Sequence, residues 1–171
     1  MQINDFFSSH MQIIPAGKED WSIIRDLAYT IWPVAYQNVI PQEQIDYMLN
    51  RGYSTQALEE QAEEGHQFFI LWIENEPVGF FAWQSLSSDK AKLQKLYVLP
   101  SCHGKGLGQK LLETAKDYAK STGHLWLILN VNRGNPSVAF YEKMGGRRLE
   151  TLDIPYGPYV LEDYIYGWEL T

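Results

Sequence analysis

The sequence predicts an α/β domain in which helices pack on a mixed central sheet. Runs of β-branched and aromatic residues, short enough to be strands, alternate with longer stretches whose apolar residues recur at helical spacing. At "LYVLPSCHGKGLGQKLLETAKDYAK", Leu96 to Lys120, an apolar run passes through three glycines in five positions directly into a helical repeat. A chain of 171 residues, 45% hydrophobic and 14% aromatic, buries one sizeable core and leaves no room for an obvious second one. One domain is therefore expected over 11–171, with residues 1–10 as an extension whose order the sequence leaves open.

The first strand is "MQIIPAG" from Met11. From Glu19, Ile23, Ile24, Leu27, Ala28 and Ile31 form one helical face, which Pro33 is expected to end because proline lacks the N–H that continues a helix. A second helix starts near Pro41, with Ile45, Met48 and Leu49 on one face and Gly52 as its stop, and a further helical stretch runs from Ser54 to Gly65. "HQFFILWI", "ENEP" and "VGFFAWQS" read as a hairpin, followed by the strand "KLQKLYVL". Leu107, Leu111, Leu112, Ala115, Tyr118 and Ala119 trace a helix that stops near Gly123, and "LWLILNV" is apolar enough to be buried on both faces. Asn135 and Pro136 supply an N-cap and N1 pair for a helix through Phe140 and Tyr141, ended by Gly145 and Gly146, before the strands "RRLETL" and "YIYGWEL". Counting two helices between the first two strands, the order is βααββ, βαβα, ββ.

Bulk chemistry removes several functions. Fourteen Lys and Arg against 21 Asp and Glu give a formal charge of -7, so a broad nucleic-acid footprint is not expected, while a cationic substrate meets no long-range repulsion. The single cysteine, Cys102, excludes an internal disulfide, and His10, His66 and His124 lack metal-ligand spacing. There is no apolar run of about 18 residues and no secretory leader pattern, which makes a cytoplasmic protein without a membrane span the default.

A glycine-rich turn between a strand and a helix N-terminus gathers unpaired backbone N–H groups around one concavity, where the helix dipole favours an anion such as phosphate. Gly104, Gly106 and Gly108 let a backbone approach oxygen atoms closely, and Lys105 adds charge at the rim. The P-loop pattern fails, because Gly108 is followed by Gln109, Lys110 and Leu111. The dinucleotide fingerprint fails too, since "GKGLGQ" carries its third glycine one position early.

What remains, "LYVLPSCHGKGLGQKLL" followed by "NPSVAFYEKMGG", resembles the acetyl-CoA-binding core of the GNAT superfamily of N-acetyltransferases. His103 stands where the family usually has Gln or Arg, Gly106 and Gly108 match its glycines, and Asn135, Tyr141 and Gly145 fall in register, with Ala139 shifted by one. The segments "WPVAYQNVIPQEQIDYML" and "YSTQALEE" look like the polyamine and diamine branch. The resemblance implies a mixed, mostly antiparallel sheet flanked by helices and acetyl-CoA as co-substrate, with no metal. It places the coenzyme's pyrophosphate on the loop His103, Gly104, Lys105, Gly106, Leu107 and Gly108, and its pantetheine arm along the backbone of Tyr97, Val98 and Leu99. The Val98 N–H then faces the acetyl oxygen and stabilises the oxyanion. Tyr141 is implied as the acid that protonates the departing thiolate, with Asn135 capping its helix and touching the coenzyme.

The general base is not legible. Family members often carry a carboxylate on the pantetheine-binding strand, but this chain has Lys92, Gln94 and Lys95 there, and lysine accepts a proton at neutral pH only when its pKa is depressed. Glu43, Asp46, ordered water or a pre-neutralised amine stay open. Trp32 and Tyr36 are the candidate acceptor pocket, where they hold an ammonium by cation-π contact or simply belong to the core. The expected activity is direct acetyl transfer to a primary amine of a small molecule, a polyamine among the candidates. The alternative is a coenzyme A-binding sensor without turnover, and a homodimer is left open.

Overall fold

The computed structural model describes residues 10–171; residues 1–9 of the expected extension lie outside the described residues. A seven-stranded sheet runs from Met11 to Glu169 in the order β1-β2-β3-β4-β5-β7-β6. Its strands are β1 Met11–Ala16, β2 Gln67–Ile73, β3 Glu76–Ser85, β4 Lys90–Val98, β5 Trp126–Asn132, β6 Arg147–Tyr156 and β7 Tyr159–Glu169. Every neighbouring pair is antiparallel except β4 and β5, which run parallel. Three helices, one more than the sequence order counted, join β1 to β2: α1 Trp21–Ala35, α2 Gln42–Tyr53 and α3 Thr55–Glu63. Later come α4 Leu107–Ser121 and α5 Ser137–Lys143.

Local chemistry accounts for the element boundaries. Glu74 and Asn75 both have positive φ, 50° and 69°, so a two-residue turn closes the β2–β3 hairpin with the twist its strands require. Ser54 separates α2 from α3 by capping the second, its Oγ accepting the Ala57 N–H at 3.1 Å. Two expected stops are displaced. Pro33 lies inside α1, which continues to Ala35; Tyr29, whose carbonyl loses its helical partner to the proline, is on the exposed side of the helix. Gly52 lies inside α2, and its carbonyl accepts from Gln61 Nε2 at 2.9 Å. β6 and β7 are longer than "RRLETL" and "YIYGWEL", meeting in a hairpin with Gly157 and Pro158 at its turn.

Strand alternation sends side chains to two cores. On one face α4 packs Leu107, Leu111, Leu112, Ala115 and Ala119 against Leu93, Leu127 and Leu129, and Tyr141 of α5 joins them. On the other, α1 buries Trp21, Ile24, Leu27, Ala28, Ile31 and Trp32 with Leu49, Tyr53, Phe68 and Phe80. Each fully buried Leu, Ile or Phe on these faces contributes about 1.5–3 kcal/mol relative to exposure.

The parallel pairing of β4 with β5 covers only Lys90–Lys92 against Trp126–Ile128. Beyond Lys92 the two strands diverge, while β4 stays paired with β3 as far as Val98. The sheet is therefore split at its centre.

Candidate active site

A cleft of about 920 Å³ occupies this split and reaches both faces of the sheet. Its coenzyme side begins at the glycine loop. Gly104 and Gly106 have φ of +77° and +75°, the left-handed region that β-carbons disfavour, and a Cβ added at either would meet no atom within 4 Å. Gly106 is the N-cap of α4, and its carbonyl already accepts from Lys110 N at 3.1 Å, so the N–H groups of the helix's first turn point out of the helix beside the cleft. An open concavity rimmed by glycine backbone at a helix N-terminus suits a pyrophosphate. Lys105 is exposed on this loop, and Leu107 anchors it in the core.

The loop is tied to β4 through His103, whose Nε2 donates to Val98 O at 3.0 Å. Leu99 N donates to Val78 O of the neighbouring strand at 2.8 Å, so by alternation Leu99 and Tyr97 turn their backbone groups toward β3, and Val98 turns its N–H and carbonyl toward the split. Val98 thus presents an N–H where β4 has no β5 partner.

Two tyrosines reach the split from opposite faces. Tyr141 belongs to the α4-side core and Tyr36 to the α1-side core, and both line the cleft. Burial, with the nearby Tyr36 adding to it, raises the Tyr141 phenol well above the ordinary tyrosine value, so it stays protonated. Tyr36 OH is 2.9 Å from Tyr97 OH and accepts from Asn135 Nδ2 at 3.3 Å, while Asn135 Oδ1 accepts the Ser137 N–H at 2.8 Å. Asn135 therefore satisfies the first N–H of α5 from two residues before Ser137, with Pro136, expected at the first helical position, standing at the N-cap between them.

The α1 side of the cleft is aromatic and polar. Trp32 packs against Tyr36 with ring centroids 4.3 Å apart and planes tilted by 32°, and both are under 10% exposed. Lys95 lies half-buried with Nζ 4.2 Å from the Tyr53 ring centroid and 3.4 Å from Gly52 O; desolvation pulls its pKa down to about 7. β4 bulges opposite Ala82 and Trp83, which puts both Lys92 and Lys95 on this face. Glu43 and Asp46, open as bases from sequence, are exposed on α2 outside the cleft, and Asp46 instead accepts from Gln42.

Sequence reading missed Asp163, the one acidic residue lining the cleft among the described residues. It is 8% exposed on β7, and burial raises its carboxyl against the opposing pull of Asn130, Lys92 and Arg133. The available signal was its period: Asp163 shares a face with Leu161 and Ile165, a carboxylate in an apolar row.

Comparisons with known proteins agree with this geometry. Residues 21–146 match the family model described as Acetyltransferase (GNAT) family. An uncharacterized N-acetyltransferase, YjgM, of Escherichia coli is 29% identical over 128 residues, covering 68% of this chain and 77% of that protein. The spermidine N(1)-acetyltransferase of Thermoplasma acidophilum is 27% identical over 133 residues, 74% and 82% of the two chains. The PaiA N-acetyltransferase of the same organism, solved in complex with coenzyme A, superposes with a TM-score of 0.80 at 25% identity, covering 93% of this chain and 98% of that one. The split sheet, its glycine loop and these matches together show that the chain belongs to the GNAT family of N-acetyltransferases, with acetyl-CoA as co-substrate.

Proposed function

We propose that the protein transfers acetyl directly from acetyl-CoA to a primary amine of a small molecule, with polyamines as the acceptor class. The observation that carries direct transfer is the passage through the sheet, where Tyr141 and Tyr36 meet from opposite faces in one cleft. The coenzyme enters along the loop His103 to Gly108 and the free edge of β4, where Val98 turns its backbone to the split while the backbone groups of Tyr97 and Leu99, expected to join it, are turned toward β3. The amine enters from the α1 side past Trp32 and Tyr36. The Val98 N–H stabilises the oxyanion, and Tyr141 gives its proton to the leaving thiolate.

The polyamine reading is supported by the spermidine acetyltransferase among the relatives and by a pocket that joins aromatic rings to a buried carboxylate. Lys95 does not oppose it at mildly alkaline pH: with a pKa of about 7, roughly nine-tenths of it is neutral one unit higher. Thiol release from acetyl-CoA across an amine panel tests the assignment. Spermidine and diamines should outrun alkylamines and amino acids, with a KM that rises with salt. Equal rates on a neutral-tailed alkylamine without a salt effect would exclude polyamines and leave the transferase intact. No thiol release with any amine would exclude the transferase.

A further inference from the structure

We propose that Asp163 is the group that holds the acceptor's reacting amine and takes its proton, a role resting on the small-amine reading above. Four independent features place it there. It is the single carboxylate among the described residues that line the cleft, whereas β4, the strand that follows the coenzyme arm, offers Lys92, Gln94 and Lys95. β7 pairs it with Asn132 at the end of β5, beside the split rather than at the outer wall. Alternation puts it on the α1 face, with Asn130 and Asn132, on the side from which the amine arrives. Its side-chain hydrogen bond is a long one, from Asn130 Nδ2 to Oδ2 at 3.4 Å, and no ion pair within 4 Å engages it among the described residues.

A buried carboxylate with spare acceptor capacity is costly unless something cationic or protic arrives to use it. The charged and titratable groups facing it are Lys92 from β4, Arg133 from the loop after β5 and Tyr36 from α1. Arg133 is engaged by Asp153 and the Leu152 carbonyl. Lys92, whose pKa desolvation lowers and Asp163 raises, forms no ion pair with Asp163 within 4 Å among the described residues. Asp163 therefore remains available to a primary ammonium entering the cleft.

The step balances without any added reagent. The neutral amine's lone pair attacks the acetyl carbon, the C–N bond forms and the C–S bond breaks. The thiolate takes a proton from the Tyr141 phenol, and the nitrogen's surplus proton goes to Asp163. Exchange with water returns Asp163 to carboxylate and Tyr141 to phenol, and the net reaction is amine plus acetyl-CoA to amide plus coenzyme A.

The test uses acetyl-CoA with spermidine, or with the panel amine of highest kcat/KM. In the wild type, log kcat/KM should rise with pH at a slope of one from the amine's own ionisation, steepening to two on the acid side as the carboxylate also protonates. Asp163→Asn should lower kcat/KM by about 100- to 10,000-fold, remove the steeper limb, and weaken amine binding to the coenzyme A complex at least tenfold by calorimetry. Its affinity for acetyl-CoA should stay within twofold. Asp163→Ala should be partly rescued by added formate, which separates a missing base from a damaged fold. A wild-type profile of slope one throughout would overturn the proposal without recourse to any variant. So would an Asp163→Asn enzyme within threefold of wild type, or one that loses acetyl-CoA binding in parallel with activity.

Discussion

His103 Nε2 donates to the carbonyl oxygen of Val98 at 3.0 Å, which fastens the glycine loop to the end of the strand it follows. The same residue whose carbonyl is held turns its N–H toward the split between β4 and β5, so the loop and the proposed oxyanion donor are positioned together. His103→Ala should raise KM for acetyl-CoA several-fold and also lower kcat, whereas His103→Gln, which keeps a donor of similar reach, should recover most of both. Equal losses for the two variants would show that the tether is not what matters.

The loop itself depends on Gly106 at φ +75°. A branched side chain there is strained by about 1–3 kcal/mol and fills the concavity left open beside the helix N-terminus. Acetyl-CoA should raise the wild-type melting temperature by mass action. Gly106→Val should still melt cooperatively, a few degrees lower, and show no such rise. A ligand-induced shift that survives in Gly106→Val would move the pyrophosphate away from the loop.

Tyr141→Phe removes one hydroxyl from a ring whose packing against Trp168, with centroids 6.0 Å apart, is retained. kcat should fall about 10- to 1000-fold with little change in acetyl-CoA affinity, the pattern of a lost proton donor. Turnover unchanged under conditions where chemistry limits the rate would return Tyr141 to the core.

Lys95 links stability to pH. Its pKa is about 7 in the folded protein against 10.5 for the free side chain. As pH falls from about 10.5 to about 7, the unfolded chain takes up a proton that the folded chain does not, so the folded state loses stability across that window and nothing further below it. Lys95→Met should therefore melt higher than wild type at pH 7, with the gap shrinking as pH approaches 10. A gap independent of pH would mean that Lys95 is charged in the folded protein.

The α1 side of the cleft, the proposed acceptor end, is bounded where the β6–β7 hairpin meets α2. Tyr47 packs edge-on against Tyr156 and Tyr159, and the Arg51 guanidinium lies 4.8 Å from the Tyr156 ring centroid. Gly157 has φ +58°, and a Cβ there would sit 1.9 Å from Tyr47 Oη. Gly157→Ala should lower the melting temperature and raise KM for the amine while leaving KM for acetyl-CoA nearly unchanged. Matching changes in both constants would mean that the hairpin supports the whole cleft.

What the sequence by itself determined was local. Apolar periodicity set the helical face from Ile23 to Ile31 and that from Leu107 to Ala119. The strand–glycine–helix junction marked the loop, and Asn135 marked the start of α5, because caps and glycine turns depend on neighbours within a few residues. Pro33 and Gly52 misled for a related reason. Each weakens a helix by a fixed local amount, which packing of Ile31 and Trp32 on one side and Leu49 and Tyr53 on the other overrides. The α1 side of the cleft was decided by tertiary structure alone. The bulge in β4 turned Lys95 onto the α1 face, and the sheet order set β7 beside β5, which brought Asp163 to the split from 65 residues beyond Val98 in the chain. Burial then pulled Lys95 down and pushed Asp163 up, and burial of a polar side chain is a property of the assembled fold that no run of residues carries.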